Sequence, residues 1–182
     1  FPKKAREAIN QATKRWKLEA DFAADLDTFY DLLAASYLSL GTPVFPKRMF
    51  AAIQRHFPDA TSILVIRHEG RPVAGVLSVI FRSLMMPLYS GEIPDATQLK
   101  ANNFKYFRLM EHAVERGLSR FDFGRSRLSN GGVVQFKCNQ GFEAEPLPYQ
   151  TDGATGGEGA DPNRGFFRRM RQVWTHLPAP LA

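Results

Sequence analysis

Cysteine is nearly absent from the 182-residue chain, since Cys138 stands alone. That excludes an internal disulfide and a cysteine-based metal cluster, and it fits a reducing compartment such as the cytosol. Histidine is sparse as well: His56, His68, His112 and His176 show no metal-ligand spacing, so no metal is expected. No apolar run approaches the roughly 20 residues needed to cross a bilayer. The longest, Val73 to Phe81, is strand-sized and contains Gly75 and Ser78. A soluble, cytoplasmic protein is the expectation. The chain opens Phe1-Pro2-Lys3-Lys4, without a methionine or a charged-then-apolar leader, and so reads as the interior of a longer protein with something upstream missing.

What is present suffices for a folded domain. Hydrophobic residues make up 44% of the chain, enough to build a core within the usual size of a single domain. The net charge of +6 favours anionic partners. Its distribution is uneven: Lys3, Lys4, Arg6, Lys14, Arg15 and Lys17 crowd the first segment, and Arg164, Arg168, Arg169 and Arg171 the last. Two solvated helix faces and contact with a polyanion both fit this pattern.

Periodicity predicts a basic-faced helix from Pro2 to about Glu19, with Pro2 in the tolerated first turn. Asp25 is placed to cap a second helix carrying Leu26, Phe29, Leu32, Leu33 and Tyr37 and stopping at Gly41. A third helix runs from Pro46 to Phe57, where Pro58 ends it. The period then changes. Ser62 to Arg67 and Pro72 to Phe81 read as two antiparallel strands joined at Glu69-Gly70, and Leu84 to Tyr89 as a third strand in which Pro87 marks an edge or bulge. After a polar loop holding Gly91, Pro94 and Asn102, the residues Phe104, Phe107, Leu109, Met110, Ala113 and Val114 give an amphipathic helix ending near Gly117. Arg120 to Phe123 is short and strand-like. A loop with Gly131-Gly132, the compact segment Val133 to Phe142 and a final strand around Leu147 to Gln150 follow. Thr151 to Asn163 is a Gly-rich linker, and Phe166, Phe167, Met170, Val173 and Trp174 form a terminal basic helix.

Four motifs, at Leu88 to Gly91, Asn103 to Phe107, Glu115 to Gly124 and Phe136 to Phe142, stand in an order that resembles FemAB-like proteins of the GNAT superfamily. Leu88-Tyr89-Ser90-Gly91 is similar to their Tyr-Gly strand end, and Asn103-Phe104-Lys105-Tyr106-Phe107 to the start of their central helix. Glu115-Arg116-Gly117 followed by Arg120-Phe121-Asp122-Phe123-Gly124 resembles their helix, glycine and Tyr-Asp-Phe-Gly strand. Phe136-Lys137-Cys138-Asn139-Gln140-Gly141-Phe142 is similar to their Phe-Lys to Gly-Phe segment. The resemblance runs from about Phe1 to Tyr149, and the opening Pro2-Lys3-Lys4-Ala5-Arg6 resembles the basic helix leading into the second GNAT-like half. Gly41-Thr42-Pro43-Val44-Phe45-Pro46 and Phe123-Gly124-Arg125-Ser126 resemble most closely the exosortase and PEP-CTERM-associated branch.

This likeness implies an α/β (α+β) fold of the GNAT-like acyl-CoA N-acyltransferase type, with a central mixed, mostly antiparallel sheet flanked by helices. It divides the chain into a basic linking helix (1–20), a GNAT-like domain (21–150), a linker (151–163) and a basic amphipathic helix (164–182). It implies transfer of an acyl or aminoacyl group to an amine of a cell-envelope, peptidoglycan or exopolysaccharide-related acceptor. No cofactor is expected to be held tightly. Aminoacyl-tRNA or acyl-CoA serves as donor, and tRNA and an N-terminal GNAT-like half are the implied partners. The segment Gly91 to Lys100 is acidic and has one glycine, which disfavours a backbone cradle for the pyrophosphate of coenzyme A.

Acyl transfer requires a positioned donor carbonyl, a neutral amine and stabilisation of the oxyanion. By resemblance Lys137 is the functional lysine, whose ammonium opposes the developing charge, with Phe136 beside it as a cation–π partner or as packing. Asp122, at a strand exit, either receives the amine's proton or caps the following turn. Tyr89 either donates to a leaving group or packs. Arg125 and Arg127 are placed to hold a phosphate or carboxylate. Substrate binding is further assigned to Ser126, Gly91, Asn103, Lys4 and Arg6. Cys138 has no histidine partner and reads as packing rather than as a nucleophile. Two other functions stay open: a noncatalytic ligand-binding module on a degenerate GNAT scaffold, and a basic RNA-contacting domain.

Overall fold

The computed structural model describes residues 1–128, 130–148 and 174–175. Helix α1 (Lys3–Asn10) widens into a π-turn (Gln11–Arg15) and leads to strand β1 (Glu19–Asp21). Helices α2 (Leu26–Ser39) and α3 (Lys47–His56) precede three long strands, β2 (Thr61–His68), β3 (Arg71–Phe81) and β4 (Leu84–Glu92). A 3-10 turn (Pro94–Thr97), helix α4 (Ala101–Glu115), strand β5 (Arg120–Phe121) and helix α5 (Gly131–Asn139) complete the order. The strands lie side by side as β1-β2-β3-β4-β5. The first four are antiparallel, and β5 joins β4 in parallel after the α4 crossover. This is the expected mixed, mostly antiparallel sheet.

Both faces of the sheet are covered, which is why β2 and β3 read as nearly continuous apolar runs. Leu64, Ile66, Val76 and Met85 pack with Phe104, Leu109 and Ala12 on the side of α4 and the π-turn. Ile63, Val65 and Leu77 pack with Phe29, Leu32, Leu33 and Phe50 on the side of α2 and α3. The local signals hold where chemistry dictates them. Asp25 caps α2 by accepting from Thr28 N at 2.7 Å. Glu69 and Gly70 both take positive φ, 51° and 77°, as a two-residue hairpin turn of matching twist requires.

Four expectations change. The first helix stops earlier than its period suggests: Lys17 takes φ 48°, and residues 19–21 leave as β1, where Asp21 pairs with Arg67 of β2 at 2.9 Å. The supposed polar loop is mostly ordered structure, with Gly91 inside β4 and Asn102 inside α4. Gly131 and Gly132 open a helix instead of a loop, because Asn130 accepts from Val133 N at 3.4 Å and supplies a cap. No strand forms at Leu147 and Pro148, while Tyr149 and Gln150 lie outside the described residues. The linker and nearly all of the terminal helix also lie outside them.

At Pro87 the expected break in pairing occurs. Leu77 faces Tyr89 but Ser78 faces Pro87, so Leu88 is an extra residue and β4 carries a bulge. Just beyond it α2 crosses the sheet at close range. A Cβ on Gly91 would stand 2.5 Å from Leu33 Cα and 2.6 Å from Leu32 O, and neither backbone atom can rotate away. Gly91→Ala should therefore destabilise the protein by about 3 kcal/mol, measured by urea unfolding; a loss under about 0.5 kcal/mol would show that α2 moves freely.

Candidate functional site

The sheet parts next to the bulge. β4 and β5 pair only at Leu84↔Arg120 and Met85↔Phe121, and the last bond across them is Asp122 N to Met85 O at 3.0 Å. From Met86 to Glu92 the strand has no further ladder partner on that side among the described residues. The chain after β5 turns away, with Asp122 Oδ1 accepting from Gly124 N at 2.6 Å. Backbone groups on the flared edge of β4 are thus available to a ligand rather than to a strand.

Helix α5 borders this opening. Lys137 extends from it to the turn after β5, and its Nζ donates to Phe123 O at 2.7 Å, Gly124 O at 2.8 Å and Arg125 O at 3.3 Å. All three ammonium protons are engaged. Desolvation pulls the lysine below its ordinary value, and the Asp122 carboxylate opposes the shift. Aromatic edges hold the same region. Phe123 meets Phe142 at 4.5 Å and Tyr106 at 4.8 Å between ring centroids, and Phe136 meets Tyr106 at 5.6 Å.

The structure separates the expected site residues into groups. Lys137, Asp122, Phe136, Arg125 and Ser126 come together around the turn after β5. Asp122 caps that turn, the second of its two readings. The cation–π partner of Lys137 is Phe123, with Nζ 5.9 Å from the ring centroid, while Phe136 packs on Tyr106. Arg125 and Arg127 are exposed. The Ser126 hydroxyl is buried with no hydrogen-bond partner among the described residues. Tyr89 and Gly91 face the other side: the Tyr89 ring packs edge-on against Phe50 at 5.0 Å and Phe45 at 6.0 Å, so packing explains it, and Gly91 lies against α2. Asn103 is half-buried in the first turn of α4. Lys4 and Arg6 are exposed on α1, whose Ala5 and Ile9 are buried, and no described contact joins either charge to the opening. Cys138 is exposed rather than buried.

A sheet that opens after two parallel pairs, with a crossover helix behind it and a lysine-tied turn at its edge, defines an N-acyltransferase type of scaffold. Residues 2–137 match the family model described as "Acetyltransferase (GNAT) domain", and the chain belongs to that family. Among curated proteins none matches. Among the solved structures that share the fold are three of different kinds. FemX is 16% identical with a TM-score of 0.68, over 78% of this chain and 54% of FemX; this chain thus spans about half of FemX. The ribosomal-protein-S18-alanine N-acetyltransferase from Escherichia coli is 16% identical with a TM-score of 0.54, over 71% and 79% of the two chains. AAC(6')-Iy, in complex with the bisubstrate analogue CoA-S-monomethyl-acetylneamine, is 10% identical with a TM-score of 0.60, over 75% and 99%.

One polar group went unsingled in the sequence. Lys105 of α4 is fully buried (0% exposed) among apolar neighbours, and its Nζ donates to Ser90 Oγ of β4 at 2.6 Å. Burial raises the pKa of Tyr106, and the nearby Ser90 hydroxyl opposes that rise. Glu92, two residues along β4 on the same face, acts on Lys105 and Tyr106 by its charge, while its Oε2 is buried without a hydrogen-bond partner among the described residues. A signal existed: Ala101, Lys105, Leu109 and Ala113 follow at four-residue spacing, and the other three are buried apolar residues. A charge on such a stripe is costly unless paired.

Desolvation lowers Lys105 from 10.5 to about 8, with Glu92 opposing the shift. The unfolded chain therefore holds a proton between about 8 and 10.5 that the folded protein releases, and stability rises with pH across that window. The difference corresponds to about 3 kcal/mol. Relative to Lys105→Met, the wild type should gain about that much unfolding free energy between about pH 7 and 10.5. Paired urea titrations measure it, and a gap independent of pH would contradict the burial penalty.

Proposed function

We propose that this chain is the C-terminal half of a FemAB-like N-acyltransferase, moving an acyl or aminoacyl group onto an amine of a peptidoglycan, exopolysaccharide or other envelope-related acceptor. The observation that carries this reading is the tether of Lys137 to the turn at the mouth of the parted strands. The donor carbonyl lies along the unpaired edge of β4 in this reading. Lys137 fixes the turn bearing Arg125 and Ser126 and adds positive charge where the oxyanion develops. Arg125, exposed at the same turn, meets an anionic group of donor or acceptor.

Membership of the GNAT family supports acyl transfer. The likeness to FemX supports an aminoacyl donor and an upstream GNAT-like half. Gly41 to Pro46 and Phe123 to Ser126 favour the exosortase-associated branch. The turn before α4 bears on the donor. Ala96 and Leu99 are buried in the core there and Asp95 is acidic, so this segment makes a poor cradle for a pyrophosphate. Aminoacyl-tRNA is favoured over acyl-CoA on that ground, with the basic residues of the two end segments available to the RNA backbone. In this arrangement residues 1–20 lead into the GNAT-like domain (21–150) by a helix and π-turn that end before β1 joins the sheet, and 151–163 and 164–182 are read as a linker and a basic amphipathic helix.

One observation favours a second reading. The three ammonium protons of Lys137 are all directed at carbonyls, as in a purely structural clamp on a noncatalytic binding module. Full-length Lys137→Ala separates the two. The transferase reading expects roughly a 100-fold or greater loss of turnover with acetyl-CoA or alanyl-tRNA as donor, at an unchanged circular dichroism spectrum. Full activity in the variant would remove Lys137 from the chemistry. Binding of tRNA should be detectable at about 50 mM salt and weaken steeply toward about 200 mM; its absence at the lower salt would leave acyl-CoA as the donor.

A further inference from the structure

An amine that attacks an acyl carbon must lose a proton, and the two groups at the turn are poorly placed to take it. Asp122 is exposed and accepts from Gly124 N at 2.6 Å through Oδ1, where it holds the turn, and Lys137 holds three carbonyls with its own protons. Across the opening lies a different pair. Ser90 is half-buried on the unpaired stretch of β4, with the buried Nζ of Lys105 2.6 Å behind it. Tyr106 closes the far side, its hydroxyl toward Ser90 and its ring against Phe123 and Phe136 of the turn and α5.

We propose that Ser90 and Lys105 form a proton-accepting pair on the β4 side of the opening, with Ser90 meeting the attacking amine and Lys105 storing the proton behind it. The proposal rests on the transferase reading above. As the new C–N bond forms, the amine passes a proton to Ser90 Oγ, and the Ser90 hydroxyl proton moves to the lone pair of the Lys105 amine. When the bond from the acyl carbon to the donor's leaving atom breaks, that atom keeps the electron pair and recovers the proton by the same route. Atoms and charge balance, and no co-reactant is needed. Burial makes the unprotonated amine accessible by holding Lys105 to about 8. The titratable groups facing it are Glu92 of β4, which opposes the shift, and Tyr106 of α4, which stays neutral because burial raises its pKa.

The test uses the full-length protein with acetyl-CoA and alanyl-tRNA as donor probes and free lysine as acceptor. Wild-type kcat should rise along a steeper limb below about pH 8 than above it, the slope falling by about a factor of ten per pH unit where Lys105 loses its proton. Lys105→Met and Ser90→Ala should each lose about 100-fold or more in kcat with KM little changed, and Lys105→Met should abolish that limb. A separate limb at higher pH, due to the acceptor amine, remains in all three. If the variants fold and keep both rate and limb while the wild type turns over, the pair is not the acceptor. Turnover with neither donor would instead overturn the transferase reading and this step with it. Should Lys105→Met fail to fold, Ser90→Ala, which deletes one oxygen, decides the question alone.

Discussion

The early parting of β4 from β5 is the constraint on which the rest of the structure depends. Parallel pairing ends after two residue pairs. Pro87 has no N–H to offer a ladder, and the Leu88 bulge adds twist and turns the strand. A longer β5 would continue the sheet and close the opening. Because it stops at Phe121, the chain must cross to α5 over a gap that the sheet does not support, and the turn from Asp122 to Arg125 is stabilised from outside instead. Lys137 supplies that support through three carbonyls.

Helix α5 illustrates how local preference yields to packing. It begins with two glycines and has no fully buried residue, and each glycine costs about 1 kcal/mol relative to alanine in a helix interior. The Asn130 cap offsets part of that cost. The remainder comes from aromatic edges, where Phe121, Phe123, Phe136, Phe142 and Tyr106 form a connected set spanning α4, β5 and α5. Such pairs contribute about 0.5–1.5 kcal/mol each beyond area burial. The motif residues flanking Lys137 thus locate the lysine before they do anything to a substrate.

Much of the framework was legible because it rests on rules within a few residues of one another. Asp25 as a cap, Glu69-Gly70 as a hairpin and Pro87 as a break were each readable from one or two side chains. Where the outcome depends on distant partners, the local signals mislead. The period of the first helix continues through Leu18, yet β1 forms because β2 offers an open edge and Arg67 offers Asp21 a partner. Tyr89 and Gly91 have the identities of site residues, but the bulge and the crossing of α2 assign both to the opposite face. Lys105 was visible as a charge on an apolar stripe, yet its partners Ser90 and Glu92 come from a strand 13 to 15 positions earlier. No helical period connects them.

The two lysines differ in what surrounds the charge, and that difference suits them to opposite work. Lys137 is half-exposed and gives its protons to three carbonyl dipoles, an arrangement that depends on the ammonium form. Lys105 has one hydroxyl partner, no solvent and an acidic neighbour that only partly offsets the cost of burial, so its two protonation states lie close in free energy. A fixed positive charge can stabilise an oxyanion, whereas a charge that comes and goes can move a proton. Tyr106 lies beside both neighbourhoods, with its hydroxyl near Ser90 and its ring against the turn that Lys137 holds. Any movement of that turn that tilts the Tyr106 ring will therefore also shift its hydroxyl beside Ser90 and Lys105, which couples the surroundings of the two lysines through a single side chain.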